Sequence, residues 1–193
     1  MTSPLLRSRL LERLRRETSD SHQALDQSLD ALNESASAAT RDNFVLRYCG
    51  FYREVMCGIG RHLLDVSEVA EALAIRAKVI EKDLDSLGLT NSKHEIPSFH
   101  LQTPYEALGA LYVIEGSNLG GQFILKELSN RGCSLNGLRF LNPYGDELGK
   151  RWRSFPLMLD REVPAQEVAI QGVVRGAQSA FAFARSCLFR EKA

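Results

Sequence analysis

The chain has 193 residues, of which 44% are apolar, and this is enough for one domain to bury a sizeable core without disulfides or a structural metal. Its 24 basic residues balance its 24 acidic residues, which argues against binding to nucleic acid through bulk charge. No apolar run approaches the ~20 residues that span a bilayer, and the cysteines have neither metal-ligand nor disulfide-framework spacing. We therefore expect a soluble, cytoplasmic protein with reduced thiols and with no membrane or nucleic-acid partner.

The first half of the chain predicts three amphipathic helices. The first covers residues 5 to about 32, as one helix or two short ones, and its apolar residues recur at spacings of three and four, which places His22 on the buried stripe. The second extends from about Asp42 to Leu64, and the third from Val66 to Leu87, where Gly88 fits a left-handed C-cap. The stripe of the second helix consists of Phe44, Tyr48, Phe51, Val55, Ile59 and Leu63.

The second half predicts three further helices. The longest begins at Thr103, which is followed by a proline and, three residues on, by a glutamate, and it ends between Asn130 and Gly132. A short helix covers about Asp146 to Asp160, and Pro164 opens the last helix. The inner stripe of the last helix is expected to consist of Val168, Val173, Ala177, Phe181, Ala184 and Leu188. Since no run of period two and no internal repeat occurs, we predict an all-α fold, a single-domain helical bundle over residues 1–193.

The long helix carries four glycines in its interior, and each lowers its stability by about 1 kcal/mol relative to alanine. At about 100° per residue, Gly109, Gly116 and Gly120 lie on one side of the helix, which then presents a face with almost no side chains. Two interpretations are open. A large flat ligand can lie against the exposed backbone, or a neighbouring helix can approach closely through the small residues.

A planar iron macrocycle with acidic side groups would use the features of this chain together. A neutral imidazole such as that of His22 can ligate haem iron from one side. The glycine face can approach the other side, and arginine or lysine can pair with the acidic groups. The alternative for His22 is a satisfied core histidine. The other histidines are weaker candidates, since His94 and His100 lie in a loop and His62 borders a charged face.

Two segments carry a family resemblance. TSDSHQALD contains His22, and LYVIEGSNLGGQ contains Gly116, Gly120 and Gly121. They resemble the proximal and distal helix motifs of the haem oxygenase family, in particular of the bacterial branch associated with bacteriophytochromes. The order also agrees, because about ninety residues separate the two motifs and a PYG…W..F segment follows them. The resemblance covers about residues 8 to 188.

The resemblance implies that haem binds between a proximal N-terminal helix and the glycine-rich distal helix, with His22 as the axial iron ligand. Gly116 and Gly120 match the distal glycines whose backbone bends over the haem and steers oxygen to one meso carbon, and Gly121 lies beside them. Haem is then both substrate and cofactor, and O2 cleaves it to biliverdin, ferrous iron and carbon monoxide. Electrons come from an external reductase, ferredoxin or flavodoxin, because nothing in the chain resembles a flavin or iron–sulfur site. A bacteriophytochrome is a candidate acceptor of the biliverdin.

One position departs from the family pattern. Several members carry aspartate directly after the first distal glycine, where it organises the water that delivers protons, and this chain has Ser117 there. A serine hydroxyl can donate and accept hydrogen bonds but brings no charge. Proton delivery would then depend on Ser117 with Asn118, or on water alone.

Basic residues are expected to bind the haem propionates. The resemblance implies Arg15, two turns before His22, and Arg153, on the helix after the distal one. A second basic position expected three residues before the histidine is occupied by Ser19, so that assignment fails. Candidate substitutes are Arg16, Lys150 and Arg151. Asp26 can either orient the ligand ring through a hydrogen bond or lie exposed on its helix.

Three hypotheses about function follow. The leading one is a biliverdin-forming haem oxygenase. The second is a haem-binding storage or delivery protein without turnover, which the missing aspartate at Ser117 motivates. The third is a helical interaction domain whose glycine face packs against another helix and which binds no haem.

Overall fold

The chain is built of α-helices, as the sequence predicts. The computed structural model describes residues 10–23, 38–90 and 96–189, and no strand occurs in these ranges. We number the helices in chain order as α1 (10–23), α2 (Ala38–Leu63), α3 (Ser67–Ser86), α4 (Pro104–Asn130), α5 (Leu148–Glu162) and α6 (Glu167–Leu188). Two short 3-10 helices, Arg139–Leu141 and Gly145–Glu147, connect α4 to α5. Among the described helices, none has both the length and the apolar character that a membrane span requires.

The helix ends follow local signals in the sequence. Thr103 caps α4, since its hydroxyl accepts a hydrogen bond from the Glu106 N–H at 3.2 Å, and Pro104 occupies the first turn. Gly88 closes α3 with a positive φ of 68°, a conformation that favours glycine. The predicted boundaries of α2 to α6 differ from the observed ones by only a few residues.

The central helix of the bundle is α4. Its residues 107–115 are all buried, so protein surrounds this half of the helix on every side. A Cβ at Gly109 would overlap the Val173 carbonyl of α6, and a Cβ at Gly176 of α6 would overlap the Glu106 carbonyl. The two backbones are therefore in close contact, and the helix-packing interpretation is confirmed for Gly109.

The periodicity of α6 predicted its buried face with one error. Val168 is 76% exposed, whereas the other five members of the predicted stripe are buried. Val173 comes five positions after Val168, a rotation of about 140° around the helix, and Ala169 takes the buried position instead. For the predicted first helix only 10–23 can be compared, because residues 5–9 and 24–32, with Asp26, lie outside the described residues, as does His94.

Ion pairs at the surface join helices that are distant in sequence. Arg161 of α5 binds Glu68 in the first turn of α3 through two hydrogen bonds, with Nη1–Oε1 at 2.8 Å and Nη2–Oε2 at 3.1 Å. Arg13 of α1 pairs with Glu167 in the first turn of α6, with Nη2–Oε1 at 2.8 Å. Arg161 lowers the pKa of Glu68 to about 2, and Arg13 lowers the pKa of Glu167.

Replacing Glu68 by glutamine is expected to remove part of the acid sensitivity of the fold. Because the folded-state pKa of Glu68 is about 2 and its ordinary value is 4.5, the pair contributes fully above pH 4.5, and this contribution is lost as the pH falls toward 2. The effect is small, since both side chains are about half exposed. Thermal unfolding at pH 7 and at pH 3 measures it, with Glu127→Gln, an exposed carboxylate of α4, as control. A Tm difference between wild type and Glu68→Gln that is equal at both pH values would contradict the assignment.

Candidate functional site

Two glycines of α4 leave a stretch of helix backbone open. Among the described residues, a Cβ at Gly120 would meet no atom within 4 Å outside its own helix backbone, and one at Gly116 would meet only the Trp152 ring, at 3.6 Å. Gly121 differs, because a Cβ there would overlap the Leu141 carbonyl of the first 3-10 helix. The open face therefore consists of Gly116 and Gly120, while Gly121 permits close packing.

His22 lies in the last described turn of α1. The two turns before it carry the buried Leu14 and Thr18, but His22 itself is exposed, so the prediction that it lies on the buried stripe is wrong. The reason is that, among the described residues, the bundle encloses α1 at Thr18 but covers it only in part at His22. The His22 ring packs edge-on against Phe181 of α6, with centroids 5.8 Å apart. This leaves an oriented imidazole that a ligand can reach.

Helix α1 meets α4 at Tyr112, one turn before Gly116. Burial raises the pKa of Tyr112, and the Thr18 hydroxyl and the Arg15 charge beside it partly offset the rise. His22 follows Thr18 by one turn, just as Gly116 follows Tyr112 by one turn. The contact between the two helices is therefore adjacent to both predicted haem-facing positions.

An aromatic wall borders the open face at Gly116. Trp152 of α5 is half-buried with its ring against Gly116, and it stacks on Phe155 with centroids 5.6 Å apart and an interplanar angle of 4°. The Tyr112 ring lies 6.2 Å from the Trp152 ring. Rings and bare backbone together form a smooth, mostly apolar boundary, which suits a flat apolar ligand.

Ser117 belongs to a chain of hydroxyl groups. Its Oγ donates to the Ile114 carbonyl at 2.8 Å and lies 2.7 Å from the Tyr52 hydroxyl. A serine has one hydroxyl proton, so when Ser117 donates to Ile114, Tyr52 donates to Ser117. Burial raises the pKa of Tyr48, which neighbours Tyr52 and Ser117, well above its ordinary value. Tyr48 therefore stays protonated at neutral pH.

Asn118 occupies a different environment from Ser117. It is fully buried, whereas Ser117 is half-buried. Its Oδ1 accepts a hydrogen bond from Arg76 at 3.2 Å, and its Nδ2 donates to the Glu115 carbonyl at 3.1 Å. Of the two residues predicted to deliver protons, Asn118 thus forms its side-chain hydrogen bonds with groups in the interior behind α4.

A buried ion pair lies behind the open stretch of α4, and its two residues are not among those predicted from the sequence. Arg76 of α3 is 1% exposed; its Nη2 lies 3.0 Å from Glu115 Oε1 and donates to the Ile114 carbonyl at 3.4 Å. The Tyr144 hydroxyl donates to the same Glu115 oxygen at 2.8 Å. The Tyr52 and Tyr144 rings lie against the guanidinium, with centroids 5.5 and 5.1 Å from Cζ.

This pair keeps a charged group in the core. Burial lowers the pKa of Arg76, but Glu115 and the neighbouring tyrosines more than offset this, so the net pKa is raised. Removing one partner of such a pair leaves an uncompensated buried charge, so the two residues depend on each other. A signal for it exists in the sequence, because polar residues interrupt the buried stripe of α3. That stripe consists of Val69, Ala72, Arg76, Ile80, Asp83 and Leu84.

The predicted propionate-binding residues differ in their surroundings. Arg15 and Arg153 are exposed, and neither forms an ion pair with another described residue. The three substitutes do form ion pairs: Arg16 with Glu17, Lys150 with Glu147, and Arg151 with Glu71. Arg15 and Arg153 are therefore the better placed to bind an acidic group of a ligand.

The fold and site define a helical protein with an accessible histidine beside a bare stretch of helix backbone. The family model described as Heme oxygenase matches residues 8–190, and the chain belongs to the haem oxygenase family. A heme oxygenase from Xanthomonas campestris pv. campestris is 36% identical over 83 residues, which is 43% of this chain and only 50% of that relative. The NO- and CO-bound heme oxygenase from Neisseria meningitidis has a TM-score of 0.78 at 26% identity, covering 93% of this chain and 89% of that one.

Proposed function

We propose that this protein is a haem oxygenase, which cleaves haem to biliverdin, ferrous iron and carbon monoxide with O2 and external electrons. The observation that carries the proposal is the open backbone at Gly116 and Gly120, on a helix that touches the helix bearing His22. Membership of the family and similarity to a NO- and CO-bound heme oxygenase support it.

The residues present fit a haem. His22 offers an exposed imidazole, which is the group that holds haem iron in many proteins. Gly116 and Gly120 would let a flat ring approach the α4 backbone, because no side chain projects from them. Leu119 and Phe123 lie on the same helix as the two glycines. They are 40% and 66% exposed, so they can cover apolar ligand surface.

Arg15 and Arg153 would bind the propionates. Guanidinium groups form two parallel hydrogen bonds to a carboxylate, and this fixes the orientation of the ligand as well as holding it. Arg15 belongs to α1, and its charge acts on Tyr112 of α4, while Arg153 directly follows Trp152 of the aromatic wall. The two arginines therefore belong to elements that border the open face.

When bound, haem supplies the iron centre and the ring that is oxidised, while the protein supplies orientation, exclusion of water and protons. The electrons are proposed to come from a separate donor protein, a reductase, ferredoxin or flavodoxin. The proposed site of action is the cytoplasm, and a bacteriophytochrome is the proposed acceptor of the biliverdin. The resemblance of the two helix motifs to the phytochrome-associated branch supports this last assignment.

Ser117→Ala is expected to slow haem degradation roughly tenfold or more while preserving hemin binding. Ser117 directly follows Gly116, and its hydroxyl lies 2.7 Å from the Tyr52 hydroxyl, so we expect it to relay a proton when it turns away from the Ile114 carbonyl. Alanine interrupts this relay without changing the backbone. Single-turnover rates and hemin titrations measure the two effects, with Ser129→Ala, an exposed serine of α4, as control. A wild-type rate in Ser117→Ala would assign proton delivery to water alone.

The proposed function is tested by adding hemin to the purified protein and following the visible spectrum in air after addition of ascorbate, with catalase present. Loss of the Soret band and growth of broad red absorption, extractable as biliverdin, is the expected result. A Soret band that persists would contradict turnover and favour the storage or delivery function that Ser117 motivates. No spectral change on adding hemin would contradict both.

A further inference from the structure

We propose that Tyr144 is a positioning residue that holds the Trp152 ring at its distance from the Gly116 backbone. The inference rests on the proposed function, because it assigns a role within the same site. Tyr144 itself is buried, 9% exposed, and lies on the far side of α4 from the open face, beside the Arg76–Glu115 pair. It acts through residues that neighbour the wall and the bare backbone.

Tyr144 joins three helices through polar and charged contacts. Its hydroxyl donates to Glu115 of α4 at 2.8 Å, and its ring lies 5.1 Å from Arg76 Cζ of α3. Arg151 of α5 lies over the same ring, with Cζ 4.4 Å from the centroid, and its guanidinium binds Glu71 of α3 at 2.6 Å. A tyrosine ring that contacts two guanidinium groups and donates its hydroxyl to a carboxylate is held in one orientation.

Two of these contacts are to residues that stand next in sequence to the open face and its wall. Glu115 immediately precedes Gly116, and Arg151 immediately precedes Trp152. The residues that Tyr144 holds are thus the sequence neighbours of the two residues that meet at the wall, where the Trp152 ring lies 3.6 Å from the position of a Cβ on Gly116. A shift of Tyr144 would change the distance between α4 and α5 at this point.

Helices α4 and α5 both need a contact that fixes the distance between them. The glycines weaken α4 where it is open, and α5 begins after a turn at Gly145, where φ is 54°. A flat ligand on a bare backbone has few side chains to stop it from sliding, so a fixed wall sets its lateral position. We therefore expect Tyr144 to influence which ring carbon faces the open backbone.

The chain contains a single tryptophan, Trp152, so its fluorescence reports on the wall itself. Tyr144→Phe keeps the ring and removes only the hydroxyl bond to Glu115. In the ligand-free protein, the acrylamide quenching constant of Trp152 is expected to rise about twofold, because the wall opens more often. Tyr105→Phe is the matched control, since Tyr105 packs against Gly172 of α6 and should leave the quenching unchanged.

Arg151→Gln provides a second variant, because Arg151 is partly exposed and its loss leaves the buried pair intact. It is expected to raise the quenching in the same direction. Reduced thermal stability of Tyr144→Phe without any change in quenching would overturn the proposal and leave Tyr144 a merely structural role. The fluorescence result is independent of turnover, so it stands even where the protein fails to degrade hemin.

The second readout is the composition of biliverdin isomers formed from hemin. Tyr144→Phe is expected to change the isomer ratio relative to wild type and to Tyr105→Phe. An altered quenching constant with an unchanged isomer ratio would overturn the role of Tyr144 in placing the ligand.

Discussion

Gly121→Ala is expected to lower the Tm of this protein by about 10 °C, whereas Gly120→Ala should raise it by about 3 °C. A Cβ at Gly121 would overlap the backbone carbonyl of Leu141, which cannot move without shifting the 3-10 helix. Such overpacking costs about 3 kcal/mol. At Gly120 a Cβ would meet no described atom within 4 Å outside its own helix backbone, so alanine contributes only its better helix propensity, about 1 kcal/mol. Two adjacent glycines therefore have opposite effects on stability.

Thermal unfolding of both variants, with circular dichroism as the signal, checks this expectation. Gly120→Leu extends the comparison to the ligand, because a bulky side chain on the open face should block haem turnover while sparing the fold. Destabilisation of Gly120→Leu comparable to that of Gly121→Ala would show that a helix covers Gly120, and it would contradict the open face.

His22→Ala is expected to abolish the normal axial ligation of bound haem and, with it, haem degradation. The imidazole is the group proposed to hold the iron. Because losing even an outer-shell partner of a metal ligand costs on the order of 10- to 100-fold in affinity, losing the ligand itself should weaken hemin binding at least that much. Because His22 is exposed, alanine at this position should have little effect on the stability of the apoprotein. The ferric absorption spectrum and a hemin titration measure the two effects.

His100→Ala serves as the control, since His100 is also exposed but lies in the segment before α4. Added imidazole should restore part of the ferric spectrum of His22→Ala by occupying the vacated position. An unchanged spectrum in His22→Ala would contradict the assignment of His22 as the ligand, and the spectra of the other histidine variants would then identify the residue responsible.

Local signals in the sequence predicted the start of α4 and the end of α3 correctly. Thr103 and Gly88 act through their own backbone neighbours, so no distant part of the chain is needed to interpret them. The helical periodicity of apolar residues likewise predicted most of the buried faces of α2 and α6. Val168 does not belong to the buried face because its spacing of five from Val173 turns it to another side of α6, whereas His22 is exposed because periodicity does not show where a helix leaves the core.

The glycines of α4 show the limit of such interpretation most clearly. Their spacing put Gly109, Gly116 and Gly120 on one face, but spacing is the same whether that face meets a helix or open space. The structure divides the face, because Gly109 meets the backbone of α6 and Gly120 meets no described neighbour outside its own helix. Only the packing of other elements separates the two interpretations.

By itself the sequence determined the helical class, the order of the helices, and the two motifs, around His22 and Gly116, that indicate the family. These features are encoded within a few turns of chain, where propensity, capping and periodicity act. The tertiary structure alone decided which glycines are open and which residues support them from behind. Arg76 and Glu115 are 39 positions apart, and Tyr144 is 29 positions beyond Glu115, so their contacts arise only when α3, α4 and the loop before α5 pack together. A buried charge becomes stable only when its partners close around it, and no local pattern specifies those partners.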